Sequence, residues 1–121
     1  MTNYAITTKT DAQSSISPSL NVETDVVNIA AQAADYVPEL YLDLGNMQAG
    51  DTTIVTEYIS VDGINQRIYF QKTFKDVQTE PLLRLHGKLL ELGMLYKVTV
   101  KQTGGTARVY PLASIIQIFN A

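Results

Sequence analysis

The chain has 121 residues, a formal net charge of −3 at pH 7, one histidine and no cysteine or tryptophan. This length fits one domain with its own hydrophobic core, and the lack of cysteine fits a protein stabilised by core packing alone. The nine basic residues are scattered along the chain. It therefore lacks the basic stripe by which proteins contact nucleic-acid phosphates, and we expect no nucleic-acid partner.

The N-terminal sequence shows no basic region followed by an apolar core, so we expect no secretion by a signal peptide. No stretch approaches the roughly 20 apolar residues of a membrane helix, so we expect no membrane partner. The composition therefore predicts a protein that is synthesised in the cytoplasm.

Residues 1–19 are rich in Thr, Ser, Asn and Gln, with isolated apolar residues at Tyr4, Ile6 and Ile16. Two interpretations stay open for this segment. It is a disordered tail, since chain termini fray unless they are tied down, or it is an arm that becomes ordered on a neighbouring subunit. In the second case the three apolar side chains are the expected partner contacts.

Residues 20–37 carry two overlapping patterns. Leu20, Val22 and Val26 alternate with polar residues as in a strand, whereas a second set shares one face of a helix. That second set is Val26, Ile29, Ala30, Ala33 and Val37. A short strand followed by a helical segment accommodates both patterns. Its apolar face would pack on the rest of the domain or on another copy, which makes Val26 and Ile29 candidate partner contacts.

From Leu40 onward, short runs of alternating apolar and polar residues are separated by turn residues. The clearest case is the pair of runs at residues 52–61 and 66–77, because Asp62-Gly63 between them is a strong hairpin signal. Residues 96–101 also alternate strictly, and Gly104-Gly105 predicts the next turn. Pro111 lies inside the last run, where it marks an edge, a bulge or a break, since proline cannot donate to a ladder.

Six or seven strands joined by hairpins predict an all-β chain. The expected architecture is an antiparallel β-sandwich of immunoglobulin-like or jelly-roll type over residues 38–121. An N-terminal arm with a short helical or strand segment, residues 1–37, is expected to precede it.

The residues that most chemistry requires are sparse. His86 is the single imidazole, and no second histidine or carboxylate pair lies at ligand spacing from it, so we expect it on an outer face or at a strand end. The acidic residues are dispersed, and Gly104-Gly105 is not followed by the lysine of a phosphate loop. We therefore expect no catalytic residues, no metal site, no cofactor and no enzymatic activity.

Tyrosine offers a stacking face and a hydroxyl, and most of the seven tyrosines are expected to pack within the strands. Tyr41 and Tyr69 are predicted opposite the apolar faces of their strands. They are candidate exposed contacts of a module that binds a glycan or a peptide.

Two stretches, LDLGNMQAGDTTIVTEYISVDG at residues 42–63 and YKVTVKQTGGTARVYP at residues 96–111, carry a family resemblance. They resemble small β-sandwich proteins encoded among the virion genes of tailed bacterial and archaeal viruses. The resemblance implies a non-catalytic decoration, minor capsid or other head or tail component that resides in the virion. Its implied partners are other virion proteins and copies of itself. The first 35 residues lie outside the resemblance, which implies nothing about the arm.

Overall fold

The computed structural model describes residues 6–119, with side chains from residue 9 onward. Within these bounds the chain forms eight β-strands and no helix, and hence no helix of the length and apolarity that a membrane span requires. The strands are β1 (Ile6–Ile16), β2 (Thr24–Ile29), β3 (Tyr36–Asp43), β4 (Thr52–Ser60), β5 (Arg67–Lys75), β6 (Leu82–Leu85), β7 (Leu95–Gly104) and β8 (Tyr110–Phe119). The predicted all-β class is confirmed.

The strands form two antiparallel sheets of four strands each, in the orders β1-β8-β3-β6 and β2-β7-β4-β5. The first strand pairs with the eighth, the second with the seventh, the third with the sixth and the fourth with the fifth. β3 also pairs with β8, and β4 with β7. Consecutive strands therefore change sheets at every connection except the hairpin between β4 and β5, which confirms the hairpin expected around Asp62-Gly63.

The two sheets pack on one shared core, as in a sandwich. On β3, burial alternates residue by residue, as a strand with one face toward a core requires. Tyr36, Leu40 and Leu42 of this strand meet Val98 and Val100 of β7 in that core. The Tyr36 hydroxyl donates a hydrogen bond of 2.7 Å to the Met94 carbonyl, and burial raises the pKa of Tyr36 to about 12.

The helical alternative for residues 20–37 is wrong. Thr24–Ile29 form β2, which pairs with β7, and the alanine-rich stretch at 30–34 connects the two sheets. The register of β2 shifts between Asp25 and Val27, so Val26 is the extra residue of a β-bulge. Because of this bulge, Val26 and Val27 both point partly toward the core, and the strict alternation of apolar and polar residues is interrupted. The spacing of the apolar residues then resembles one face of a helix.

The N-terminal arm is not confirmed as a part separate from the sandwich. Its described portion supplies β1 and β2, one edge strand to each sheet. The expected boundary at residue 37 falls inside β3, which begins at Tyr36. β1 nevertheless differs from the other strands, because every side chain from residue 9 to residue 15 is exposed, on both faces.

Candidate interaction surfaces

Exposed apolar side chains gather where β4 turns into β5. Val61 and Ile64 are 78% and 80% exposed, and Ile68 and Tyr69 follow at the start of β5 with more than half of their surface exposed. These four residues are called the hairpin-end patch. A shallow pocket of about 170 Å³ lies within it, lined by Val61, Ile68 and Tyr69 together with Ile59 and Arg67.

A β-bulge accounts for the exposure of two consecutive large side chains. Glu57 pairs with Phe70, and the next residue, Tyr58, pairs with Ile68, so Tyr69 is left without a ladder partner. Such an extra residue bends the strand and increases its twist. Ile68 and Tyr69 are therefore both exposed, whereas in a regular strand one of two consecutive side chains would point toward the core.

A buried ionic cluster lies beside Tyr69. The Lys88 ammonium is 5.5 Å from the centroid of the Tyr69 ring and 2.6 Å from the Glu57 carboxylate. Tyr96 donates its hydroxyl hydrogen to the same carboxylate oxygen. Burial, followed by the hydrogen bond to Glu57, raises the pKa of Tyr96 far above its ordinary value. The cluster fixes the β6–β7 connection, which carries Lys88, against the hairpin.

A second surface lies on the outer face of the β1-β8-β3-β6 sheet. Gln13, Ala113, Tyr41 and Arg84 form one row across its four strands. The small side chain of Ala113 leaves a shallow depression of about 470 Å³ beside Tyr41, with Asp43, Leu82 and Pro111 among its lining residues. An aromatic ring beside polar groups in a concave surface is an arrangement that can hold a sugar or a peptide.

The Tyr41 ring is held by its neighbours on the sheet. The Arg84 guanidinium carbon lies 5.8 Å from the ring centroid, and Arg84 Nε donates to Glu39 Oε1 over 2.6 Å. The Tyr41 hydroxyl donates to the same oxygen over 3.4 Å. These contacts fix the ring in the half-buried position at the depression.

The candidate contacts predicted from the N-terminal half are placed apart from one another. Tyr4 lies outside the described residues. Ile6 begins β1 opposite Phe119, and Ile16 ends it opposite Tyr110, where Ile16 packs partly against the core. Val26 is half-buried on β2 and packs on the core, and Ile29 is buried within it. The sequence pattern left two alternatives open for Ile29, packing on the rest of the domain or on another copy. In this structure Ile29 packs on the core of its own domain.

Tyr41 and Tyr69 are both accessible, but on different sheets: Tyr41 lines the depression and Tyr69 belongs to the hairpin-end patch. The pattern did not single out the apolar partners of Tyr69 in that patch. The sequence did contain one signal for the patch. Ile64 is a large apolar residue that directly follows the Asp62-Gly63 turn and lies outside the predicted strand runs at residues 52–61 and 66–77. The pairing of Glu57 with Lys88 had no sequence signal.

His86 is exposed and directly follows β6, at a strand end. Among residues 6–119, no group of three or more histidine, aspartate or glutamate side chains is placed to hold a metal ion. Comparison of the chain with protein-family models, with curated proteins and with solved structures gave no match. Since one fold supports many functions, the two surfaces indicate more about the function of this chain than its fold does.

Proposed function

We propose that this chain is a non-catalytic structural protein of a virion, a jelly-roll sandwich that assembles with capsid or tail subunits and with copies of itself. The observation that carries the proposal is the hairpin-end patch. The strand order and the resemblance of residues 42–63 and 96–111 to virion proteins support it.

The strand order supports the jelly-roll type. Eight strands in two Greek keys make a jelly roll, a fold found in viral capsid and lectin domains. Here the first half of the chain pairs with the second half in reverse order, and the resulting long hairpin is wrapped so that β3 also meets β8 and β4 meets β7. An immunoglobulin-type sandwich instead keeps its first two strands, A and B, in one sheet.

The hairpin-end patch supports assembly through protein contacts. Large apolar side chains on a surface are ordinary when single, but a contiguous group marks an interaction site. The patch combines three exposed aliphatic side chains with the aromatic ring of Tyr69, and one arginine, Arg67, lines its pocket. Aromatic and arginine side chains are enriched at the centres of interfaces. Charged residues make up 17% of the chain, below the roughly 25% of typical domains, which fits a surface that partners cover.

Incorporation into particles tests this proposal. Virus particles would be purified on a density gradient from the culture that produces the protein, and the copy number of the chain per particle would be measured by quantitative mass spectrometry. We expect a fixed copy number for the wild-type chain. We expect the Ile68→Asp variant to be absent from the particles, because a carboxylate in the patch would have to be desolvated on docking.

Val77→Asp is the matched control, because Val77 is 58% exposed, against 57% for Ile68, and follows the opposite end of β5. It should be incorporated like the wild type. A chain that is absent from particles, or an Ile68→Asp variant that is incorporated normally, contradicts the proposal.

A second candidate function, binding of a glycan or a peptide, has its own supporting observation. The depression beside Tyr41 offers a half-exposed aromatic ring, the Gln13 amide and the Asp43 carboxylate around an apolar floor. A sugar ring stacks on such an aromatic face while its hydroxyls bond to the polar rim. Lectin domains also occur among jelly rolls, so the strand order does not separate the two functions.

A glycan array probed with the full chain tests the second candidate. It predicts binding that is lost in Tyr41→Ala and retained in Tyr69→Ala, because Tyr69 lies on the other sheet. A blank array contradicts glycan binding. Equal loss in both variants contradicts the assignment of the site to the depression.

A further inference from the structure

The four edge strands of the two sheets differ in how they are protected against pairing with another strand. β2 has six residues and a bulge at Val26, and β6 has only four residues. β5 has a bulge at Tyr69 and carries Arg67, Lys72 and Lys75 without an acidic residue. Short length, bulges and like charges are the devices that keep edges from pairing with copies of themselves.

β1 is the edge without these devices over most of its length. It runs for 11 residues from Ile6 to Ile16 and pairs with β8 along one side. Its one irregularity falls between Ile6 and Thr8, and the register is regular from Thr8 to Ile16. Its side chains from residue 9 to residue 15 are small or polar and exposed on both faces. A long, regular edge of this kind is a template for another strand.

The charges of β1 select one register for such pairing. Lys9 and Asp11 lie on the same face of the strand, and their charged atoms are 3.4 Å apart. In a symmetric antiparallel pair centred on Thr10, Lys9 of each copy faces Asp11 of the other copy. Moving the centre by one residue places Lys9 opposite itself or Asp11 opposite itself, and like charges directly across are unfavourable.

We propose that two copies of this chain associate through β1, antiparallel about a two-fold axis through Thr10, so that the two β1-β8-β3-β6 sheets become one eight-stranded sheet. The interface is isologous, with Thr8 facing Ala12 and Lys9 facing Asp11 in both halves. The inference deepens the proposed function, since it specifies how copies of the chain contact one another.

Disulfide trapping tests the axis directly, because the chain contains no cysteine of its own. In the Thr10→Cys variant the two cysteines face each other at a Cα separation of about 4.5–5.5 Å, which suits a disulfide. Ser14→Cys is the matched control on the same face of the same strand, and its two cysteines lie about 27 Å apart in this register. We expect a cross-linked dimer on oxidation of Thr10→Cys and none for Ser14→Cys. Equal cross-linking of both variants, or none for Thr10→Cys, overturns the register.

A charge swap tests the same contact without a covalent bond. In sedimentation equilibrium over a micromolar to millimolar series, we expect Lys9→Asp to raise the dissociation constant of the dimer about tenfold, because it converts both Lys–Asp contacts into like-charge contacts. The double variant Lys9→Asp/Asp11→Lys should restore the wild-type constant, since the opposite charges face each other again. A wild-type chain that stays monomeric throughout, or a dimer unaffected by the single change, overturns the proposal.

The two proposals fail separately. The β1 variants leave the hairpin-end patch on the other sheet intact, so particle incorporation with no self-association overturns only the dimer. A β1 dimer that never enters particles overturns only the virion role.

Discussion

Asp51 and Glu57 are both buried carboxylates, and the difference between them lies in what neutralises each charge. Their side chains are 0% and 3% exposed, and each pairs with one long cation that reaches the surface, Arg108 or Lys88. Asp51 accepts a hydrogen bond of 2.7 Å from Arg108 Nε and another of 2.8 Å from the Gln48 backbone amide. Glu57 accepts from the Lys88 ammonium and the Tyr96 hydroxyl, both on side chains.

The comparison shows two ways to hold a buried charge. At Asp51 part of the stabilisation comes from backbone groups, which stay in place when a side chain is changed. At Glu57 it comes from side chains, and within the described part of the chain the formal positive charge in the contact is that of Lys88 on the β6–β7 connection. Loss of the cation should therefore destabilise the fold more at Glu57 than at Asp51.

Lys88→Met is expected to have the largest effect, a loss of about 3–5 kcal/mol in the free energy of unfolding, because it leaves a buried carboxylate without its counter-charge. Urea unfolding at neutral pH measures it. Adding Glu57→Gln in the same chain should recover most of the loss, since the amide oxygen still accepts from Tyr96 and no charge remains to be compensated.

Lys72→Met is the matched control for this lysine. Its ammonium also lies over an aromatic ring, 5.1 Å from the Phe74 centroid, on the exposed edge strand β5. We expect its effect to stay below about 1 kcal/mol, the scale of an exposed cation–π contact. Equal losses in the free energy of unfolding for Lys72→Met and Lys88→Met would show that the ion pair with Glu57 does not contribute more than an exposed cation–π contact.

Arg108→Met also removes a counter-charge, but we expect it to cost less, about 1.5–3 kcal/mol, the scale of hydrogen bonds to charged groups, because the Gln48 and Thr106 backbone groups still stabilise the Asp51 carboxylate. The Gln48 amide continues to donate to Asp51, so the carboxylate is not left unpaired. Urea unfolding under the same conditions gives the ratio of the two effects. A loss for Arg108→Met that exceeds the loss for Lys88→Met would contradict the expectation that the cation matters more at Glu57 than at Asp51.

The same two sites show what the sequence could predict. Asp51 lies between Gly50 and the start of β4, in a turn that the pattern indicates, and Gly105 approaches it from the predicted Gly104-Gly105 turn. Gly105 has φ +82°, and a Cβ there would lie 2.9 Å from Asp51 Cα. A turn glycine is readable in a sequence, although its contact with Asp51 is not.

Glu57 and Lys88 are 31 residues apart and come from a strand and an irregular connection. Their meeting depends on how the β6–β7 connection packs across the sandwich, which no local period encodes. The strands themselves were predictable because an antiparallel sheet with one buried face alternates apolar and polar residues. The pattern failed where bulges interrupt that alternation, at Val26, which imitated a helix, and at Tyr69, beside which the apolar Ile68 is exposed.

The stability of the fold is expected to depend on pH through Asp51. The Arg108 hydrogen bond, the largest cause, lowers the pKa of Asp51 below its ordinary value, and burial opposes this effect. Because the unfolded chain then binds the proton more readily than the folded chain, the stabilisation is present above about pH 4 and is lost as the pH falls through the lower, folded pKa.

Urea unfolding at about pH 7 and about pH 3 should therefore show a smaller acid-induced loss in Arg108→Met than in the wild type. The exposed Asp62, whose pKa is lowered chiefly by hydrogen bonds from the Asn65 backbone and side chain, contributes equally to both proteins. The difference between the two proteins thus isolates Asp51. Equal acid-induced losses would show that Arg108 does not set the protonation of Asp51.

A third carboxylate, Glu23, is exposed, and we expect the smallest effect on the free energy of unfolding there. It accepts hydrogen bonds of 2.6 Å from the hydroxyls of Thr99 and Tyr58, which lower its pKa in that order. Tyr58→Phe removes one donor from a carboxylate that water still reaches, so we expect a loss of only about 0.5–1 kcal/mol in the free energy of unfolding. Tyr41→Phe, whose hydroxyl donates to Glu39 over a longer 3.4 Å, should cost less still. A loss for Tyr58→Phe as large as that for Arg108→Met would mean that burial does not rank these three carboxylates.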